Sequence, residues 1–233
     1  MRFGAVTPSY MNEGTIAGTI NCLKPFVDKH IVLLSEKPYF GESEPPDRTE
    51  EICKDLGADV IKGTWKLDHY QRSRGNSLCM DCDWVFTFDS DEMTTCEEIE
   101  KLIKFAEKTH NKAIAVQPEN YWHTIDYVFR PKASYTPIIM TKPEVRFPYI
   151  RNINCSYAIA DVEYHHLSWA YPKNVHRCVL TYAHASDFDG EKWYQEHYKN
   201  WKVGDKIIDP HGGVCEAFYK PLPKELRDCL GVV

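Results

Sequence analysis

The sequence has no long run of apolar residues, and this absence excludes one large class of proteins. In 233 residues, no stretch is long and apolar enough for a secretory signal peptide or a membrane-spanning helix. Internal repeats, low-complexity segments and recognisable linkers are also missing. We therefore expect a cytoplasmic globular protein with no membrane span.

A positive net charge and a disulfide pattern are missing as well. The chain has 28 Lys and Arg against 34 Asp and Glu, a net charge of −6, which does not favour nucleic acid as a partner but leaves a local basic groove possible. Nine scattered cysteines with no export signal indicate free thiols. Cys79 and Cys82 have no second pair at zinc-ribbon spacing, so we interpret them as small residues near the end of a helix.

Strand patterns alternate with helix patterns over the first 117 residues. The helix patterns bring apolar residues to one face, as Ile99, Leu102 and Ala106 do. The strand patterns are short apolar runs at residues 3–6, 30–35, 59–61, 84–88 and 113–117. This alternation predicts an α/β fold with a Rossmann-type, mostly parallel central sheet flanked by helices.

The second half of the chain has a different pattern. Residues 120–169 are rich in aromatic residues and are interrupted by prolines, which indicates short strands. We predict one domain over residues 1–189, with halves at about 1–117 and 118–189. Residues 190–233 then form a small C-terminal extension of helix and coil packed on that domain.

The stretch WVFTFDSDEM, residues 84–93, ends an apolar strand in three carboxylates within four positions. These carboxylates repel one another, so we expect a bound cation to neutralise their negative charge. Ligands of such sheets bind at the carboxyl ends of the strands, where Thr7, Ser35 and Asp89 would meet. The pattern predicts a divalent cation at Asp89 and Asp91 that bridges two phosphates of a bound ligand.

Two other interpretations of this cluster stay open. Ser90, Asp91 or Thr94 could instead cap the helix that begins near Cys96, which would leave a non-catalytic sugar- or nucleotide-binding module. A nucleotidyltransferase would share the sheet and the acidic metal site. It would also need a basic, glycine-rich phosphate loop, whereas TPSYMNEG, residues 7–14, has no Lys or Arg.

Four segments in order resemble glycosyltransferases of the GT-A fold, and in particular glycosyltransferase family 2. They are TPSYMNEGTIAGTINCLKPFVDKHIVL, PPDRTEEICKDLGADVI, HYQRSRGNSL and WVFTFDSDE. The resemblance implies a GT-A-like fold and a hexosyltransferase that moves a sugar from a nucleotide-diphosphate donor, with UDP as the expected nucleotide, to a hydroxyl acceptor. We expect the transfer to invert the anomeric centre.

The resemblance also implies where the donor binds. Tyr10 would stack on the base, Glu36 would replace the aspartate that the family often has after the second strand, and Arg74 would brace the diphosphate in preference to Arg72. The predicted donor-binding residues are Thr7, Pro8, Tyr10, Glu36, Gln71, Arg74, Asp89 and Ser90.

The stretch EYHHLSW, residues 163–169, resembles the later strand from which some GT-A enzymes supply a histidine to the metal. Strand alternation allows only one of His165 and His166 to face the site, and His166 matches the family's placement better. The predicted metal ligands are therefore Asp89, Asp91 and His166. An imidazole ligand favours Mn²⁺ over Mg²⁺.

The acceptor side is less defined by the sequence. An inverting transferase needs a carboxylate base near the acceptor hydroxyl, and we choose Asp126 within the aromatic stretch NYWHTIDYVFRP. Trp122 and His123 would pack against the sugar. The acceptor is expected to be a saccharide, a lipid-linked molecule or a modified nucleobase, and a homo-oligomer is possible.

Overall fold

The computed structural model describes residues 1–210 and 212–231. Within these residues the chain forms thirteen strands. In chain order they are β1 Phe3–Ser9, β2 Lys29–Ser35, β3 Asp59–Gly63, β4 Trp84–Thr87, β5 Glu92–Met93, β6 Ala113–Ala115, β7 Pro118–Trp122, β8 Tyr127–Arg130, β9 Ile138–Thr141, β10 Tyr157–Ile159, β11 Tyr164–Trp169, β12 Lys206–Ile208 and β13 Val214–Tyr219.

Seven α-helices connect and cover these strands in the described part of the chain. They are α1 Ile16–Leu23, α2 Thr49–Asp55, α3 Asp68–Leu78, α4 Cys96–Lys108, α5 Pro172–Thr181, α6 Gly190–Trp193 and α7 Lys224–Leu230. None of the helices in this described part is long and apolar enough to cross a membrane.

The central sheet has seven strands in the order β10-β6-β9-β4-β1-β2-β3. Strands β1 to β4 are mutually parallel, β10 is parallel to β6, and β9 alone runs antiparallel to its neighbours β4 and β6. The predicted α/β class, with a mostly parallel central sheet flanked by helices, is confirmed. The carboxyl ends of β1, β2 and β4 meet at one edge, as the sequence predicted.

A second sheet has six strands in the order β12-β13-β8-β7-β11-β5. Its strand β5 follows the acidic cluster directly and pairs antiparallel with β11, while β11 pairs parallel with β7. The second sheet therefore connects the acidic cluster to the aromatic-rich half of the chain. Only helix and coil were predicted after residue 190, whereas the chain there also forms β12 and β13, which extend this sheet through β8.

The C-terminal extension packs on the end of β7 through an aromatic cluster. Trp122 lies at the centre of this cluster, with ring centroids 4.7 Å from Tyr198 and 6.0 Å from Trp193. Tyr198 Oη of the extension donates a hydrogen bond to the carbonyl of Trp169 in the domain at 2.8 Å, and within the extension Trp193 Nε1 donates to the carbonyl of Ile208 at 2.9 Å. Trp122 is fully buried here, so it belongs to the core between the domain and its extension.

Gly75 of α3, in the segment HYQRSRGNSL, packs closely against β1. A Cβ atom added to Gly75 would lie 2.1 Å from Val6 Cγ1 and 3.1 Å from Leu33 Cδ1. All seven residues of β1 are buried, so the strand cannot move away from the helix. Because Gly75 has no side chain, α3 and its polar residues can lie this close to the sheet.

We expect Gly75→Ala to lower the free energy of unfolding by about 1–3 kcal/mol, because overpacking at Val6 outweighs the higher helix propensity of alanine. Urea denaturation measures this change. Gly14→Ala is the matched control, since its nearest neighbour, Asn174 Nδ2, is 3.6 Å from the added Cβ, an ordinary contact. Equal stability of the two variants would contradict the prediction.

Candidate functional site

The acidic cluster forms a tight turn between β4 and β5. The backbone N–H of Asp89 donates to Glu92 Oε2 at 2.6 Å, and the N–H of Glu92 donates to the carbonyl of Asp89 at 3.0 Å. Thr19 Oγ1 of α1 donates to the carbonyl of Glu92 at 2.9 Å, and the N–H of Leu167 on β11 donates to that of Asp91 at 2.9 Å. Both sheets and α1 therefore hold the turn in place.

Thr95, and not the acidic cluster, caps the following helix. Its hydroxyl accepts a hydrogen bond from the backbone N–H of Glu98 at 3.4 Å. The interpretation of Ser90, Asp91 or Thr94 as the cap of α4 is therefore wrong. Because Thr95 performs the capping, the carboxylates of residues 89–92 are not needed for it.

Two arginines bind the carboxylate of Asp89. Arg72 Nη2 lies 2.5 Å from Oδ1, and Arg151 Nη2 lies 3.2 Å from Oδ2. Burial alone would raise the pKa of Asp89, but Arg151 and Arg72 overcome this effect and lower the pKa. Asp89 is therefore ionised, and each of its oxygens faces a guanidinium group.

The same two arginines serve two further carboxylates. Arg151 Nη1 donates to Glu92 Oε1 at 2.7 Å, and Arg72 Nε donates to Asp68 Oδ2 at 3.3 Å. The Glu92 side chain is only 1% exposed, so its charge depends on Arg151. The carboxylates of Asp68, Asp89 and Glu92 and the two guanidinium groups form one buried ionic network.

Asp91 lies beside this network with hydroxyl and imidazole partners. Ser168 Oγ donates to Asp91 Oδ2 at 2.6 Å and lies 2.7 Å from His166 Nε2, while His166 Nδ1 lies 2.7 Å from Asn120 Oδ1. Burial raises the pKa of Asp91, and neighbouring Asp89 adds to the shift. Side chains of β7, β11 and the acidic turn therefore meet in one hydrogen-bonded row.

The charges of the network and Asp91 do not cancel. Three carboxylates, those of Asp68, Asp89 and Glu92, pair with the guanidinium groups of Arg72 and Arg151, and the carboxylate of Asp91 lies beside them as a fourth. With all four carboxylates ionised, this group of side chains carries two excess negative charges. A divalent cation has the charge that would neutralise them.

The residues present fit a divalent cation at Asp91 and His166 better than at Asp89. Both oxygens of Asp89 are bound by arginines, whereas His166 Nε2 lies 3.9 Å from Asp91 Oδ1. Among residues 1–210 and 212–231, no group of three or more His, Cys, Asp or Glu side chains is arranged to hold a metal ion. Two protein ligands are nevertheless sufficient for a cation that also binds substrate phosphates and water.

Two of the predicted donor-binding residues, Thr7 and Pro8, lie on β1. Thr7 and Pro8 pair with β2, so β1 extends to Ser9, beyond the strand pattern predicted at residues 3–6, and Pro8 is tolerated because it lies beyond the residues that pair with β4. Thr7 Oγ1 contacts His30 Nε2 at 2.8 Å, and burial lowers the pKa of His30 to about 4. The Thr7 hydroxyl is therefore occupied by a contact within the protein.

Tyr10 and Glu36 remain accessible to a ligand. Tyr10 is half-buried, and its hydroxyl accepts a hydrogen bond from the N–H of Glu44 at 3.4 Å. Glu36 is exposed, and its N–H donates to the carbonyl of Gly63 at 2.8 Å. Their roles toward a donor stay predictions.

The helix α3 presents Arg72, rather than Arg74, to the acidic turn. Arg74 is exposed, and its nearest partner is Ser77 Oγ at 3.5 Å. Gln71 is fully buried and hydrogen-bonded to Tyr39 and to the carbonyl of Leu33. Positions 68 and 72 share one helix face, whereas position 74 points elsewhere. The prediction that preferred Arg74 over Arg72 is therefore corrected.

The remaining predicted residues divide between the site and its surroundings. Ser90 is buried and accepts a hydrogen bond from Asn12 Nδ2, next to Asp89. Asp126 lies in the turn between β7 and β8, where Arg227 Nη2 of α7 is 2.5 Å from its Oδ1. Because this ion pair already occupies the Asp126 carboxylate, these surroundings do not favour Asp126 as the catalytic base.

Four residues of the site were not identified from the sequence: Asp68, Arg151, Asn120 and Ser168. Arg151 follows Ile150, which has a positive φ of 45°, in the segment between β9 and β10, and no local pattern marks it. Ser168 shares the strand alternation of His166, so its position two residues later was a usable signal. Asn120 could be found only from the pairing of β7 with β11.

Comparison with known proteins gives a family match over most of the chain. The family model described as Glycosyl transferase family 2 matches residues 5–169, which is more than half of the chain. This range includes the acidic turn, α3 and His166.

Curated relatives match a shorter part of the chain. An uncharacterized glycosyltransferase of Rickettsia typhi is 34% identical over 100 residues, covering 43% of this chain and 31% of the relative. One of Rickettsia felis is 35% identical over 97 residues, covering 42% of this chain and 31% of the relative. The match thus spans about a third of the length of these relatives.

Solved structures of similar topology include TarS of S. aureus. The structure of its residues 1–349 in complex with UDP is 13% identical, covers 76% of this chain and 63% of that chain, and has a TM-score of 0.48. A mycobacterial protein is also 13% identical, covers 94% of this chain and 84% of that chain, and has a TM-score of 0.42.

We expect Arg151→Ala to lower the free energy of unfolding by about 3–5 kcal/mol, because Glu92 would remain buried with an unpaired charge. Thermal and urea unfolding of the purified variant measure this loss. The exposed Arg74→Ala is the control and should change stability by less than about 0.5 kcal/mol. A decrease of less than about 1 kcal/mol in the free energy of unfolding of Arg151→Ala would show that the ionic network contributes little to stability.

Asp91→Asn should make the cation-free protein more stable at neutral pH. The pKa of Asp91 is raised in the folded state, so its ionisation above the unfolded value of about 3.9 costs stability, which falls as pH rises through the folded pKa. Asparagine avoids this cost. Below about pH 3.9 the aspartate is protonated in both states, and the difference should disappear.

Unfolding curves with chelator at several pH values measure this difference. Asp161→Asn, at an exposed aspartate, is the control and should change the free energy of unfolding by less than about 0.5 kcal/mol. A variant Asp91→Asn that is less stable than the original protein at neutral pH would contradict the assignment of a raised pKa.

Proposed function

The chain belongs to glycosyltransferase family 2, and from this premise we propose that it transfers a sugar from a nucleotide-diphosphate donor to a hydroxyl acceptor with the help of a divalent cation. UDP-sugar is the proposed donor class and Mn²⁺, or else Mg²⁺, the proposed cation. Inversion of the anomeric centre is part of the proposal. A saccharide, a lipid-linked molecule or a modified nucleobase is the proposed acceptor.

One observation carries this proposal: the uncompensated negative charge at Asp91, next to His166, at the carboxyl ends of β1, β2 and β4. A carboxylate that is buried without its own cation is costly, and structural roles rarely require one. A cation between this carboxylate and a diphosphate would neutralise both. The edge of the sheet where Asp91 lies is also the usual position for nucleotides in such sheets.

Each residue of the site then has a role. Asp91 and His166 would hold the cation, which when bound stabilises the negative charge of the departing nucleoside diphosphate. Arg72 and Arg151 fix the orientation of Asp89, whose side chain is 28% exposed and is the most accessible carboxylate of the cluster. We propose that Asp89 accepts a hydrogen bond from the donor's ribose, with Ser90 and Tyr10 beside it.

The alternative of a nucleotidyltransferase has less support. Residues 10–15, between β1 and α1, include no Lys or Arg that could hold a triphosphate. A glycosyltransferase does not need such a loop, because the cation neutralises the diphosphate. A non-catalytic module also has less support, because Thr95 and not the acidic turn caps α4.

Calorimetric titration of UDP into the protein, with Mn²⁺ and again with excess chelator, tests the donor site. We expect cation-dependent binding that Asp91→Ala weakens more than about tenfold, since it removes a cation ligand. Asp161→Ala, at an exposed carboxylate, should bind as the original protein does. A screen of UDP-sugars for release of UDP then tests the reaction.

Two outcomes would count against this function. Equal UDP binding with Mn²⁺ and with chelator would remove the role of the cation. Failure of UDP, GDP and their sugar conjugates to bind under either condition would remove the donor site itself.

A further inference from the structure

We propose that Asn120 is a positioning residue that holds the proton of His166 on Nδ1 and so presents the lone pair of Nε2 to the cation. This inference rests on the proposed function, in which His166 is a cation ligand. It adds a residue that lies outside the acidic turn and does not itself touch the cation. Its basis is the 2.7 Å contact between Asn120 Oδ1 and His166 Nδ1.

The pairing of the strands explains why Asn120 reaches this nitrogen. In the second sheet, His166 of β11 lies opposite Asn120 of β7 on one side and opposite Glu92 of β5 on the other. Residues that are paired across neighbouring strands lie on the same face of a sheet. Asn120 therefore stands at the side of the imidazole away from the acidic turn, and both residues are fixed by backbone hydrogen bonds.

The two ring nitrogens consequently have different surroundings. Nδ1 faces an amide oxygen, which can only accept a hydrogen bond, so the proton of a neutral imidazole is favoured there. Nε2 lies 3.9 Å from Asp91 Oδ1 and 2.7 Å from Ser168 Oγ, and this hydroxyl, unlike the amide oxygen, can rotate its single proton from Asp91 Oδ2 to Nε2. The nitrogen left without a proton is the one that points to the acidic turn, as a cation ligand requires.

The neighbouring histidine provides an internal comparison. His165 lies on the opposite face of β11, where its Nδ1 is 3.1 Å from Tyr121 Oη, and it is completely buried. Its contacts with the ring of Tyr121 and with Glu163 include no group of the acidic turn. A change at Asn120 should therefore affect His166 and leave His165 as it was.

Long-range ¹H–¹⁵N correlation spectra of the imidazole rings, recorded with chelator at about pH 8.5 where ordinary imidazoles are neutral, test the tautomer directly. The chain has 10 histidines, and the signals of His166 are assigned by their loss in His166→Gln. We expect the Nδ1–H tautomer in the original protein and in Asn120→Asp. We expect a shift toward the Nε2–H tautomer in Asn120→Leu.

Calorimetric titration of Mn²⁺ alone gives a second readout. Asn120→Leu should weaken Mn²⁺ binding by about 10–100-fold, as loss of a partner of a metal-binding histidine does, and Asn120→Asp should restore most of the affinity because it keeps the acceptor oxygen. An Nε2–H tautomer in the original protein would overturn the inference. An unchanged tautomer and unchanged Mn²⁺ affinity in Asn120→Leu would do the same.

Failure of the proposed function gives a different result from failure of this inference. If the original protein does not bind Mn²⁺, the cation site fails, and the tautomer spectra still decide whether Asn120 fixes the imidazole. If the original protein binds Mn²⁺ and Asn120→Leu binds it equally well, the cation site stands and the role of Asn120 is wrong.

Discussion

Two buried guanidinium groups make it possible for the acidic turn to exist inside the fold. Arg72 and Arg151 together bind Asp89, and Arg151 also binds Glu92, which is almost completely buried. Without them, the carboxylates of Asp68, Asp89 and Glu92 would lose hydration with no compensation. Because Arg72 comes from α3 and Arg151 from the segment between β9 and β10, the ionic network links both of these segments to the start of the second sheet.

The parts of the fold that depend on local pattern could be predicted from the sequence. Strands β1, β2 and β4 are buried on both faces and therefore appear as nearly continuous apolar runs. The acidic turn was visible because its charges interrupt such a run. By contrast, β12 and β13 were missed: the residues of β13 are mostly exposed or half-buried, so the strand has little hydrophobic signal of its own.

The partners of the acidic turn could be predicted only in part, because most come from distant segments. Arg151 is 59 residues from Glu92 along the chain, and Asn120 is 46 residues from His166. Spacing within one element is more informative: Asp68 and Arg72 are four residues apart in α3, which marks Arg72 as the arginine on the inner face. Arg74 was preferred because it lies nearer the end of the segment that leads to Gly75, which is a weaker criterion than helix geometry.

The attachment of β8 has a consequence for the order in which the second sheet assembles. Strand β8 pairs with β7 through Tyr121 and Val128 alone, but with β13 through four residue pairs, from Tyr127 to Arg130. During synthesis, residues 127–130 leave the ribosome long before residues 214–219. Until the later segment arrives, β8 presents an unpaired edge, which is the kind of surface that chaperones protect and that initiates aggregation. Correct folding of this half of the molecule is therefore completed from its C-terminal side.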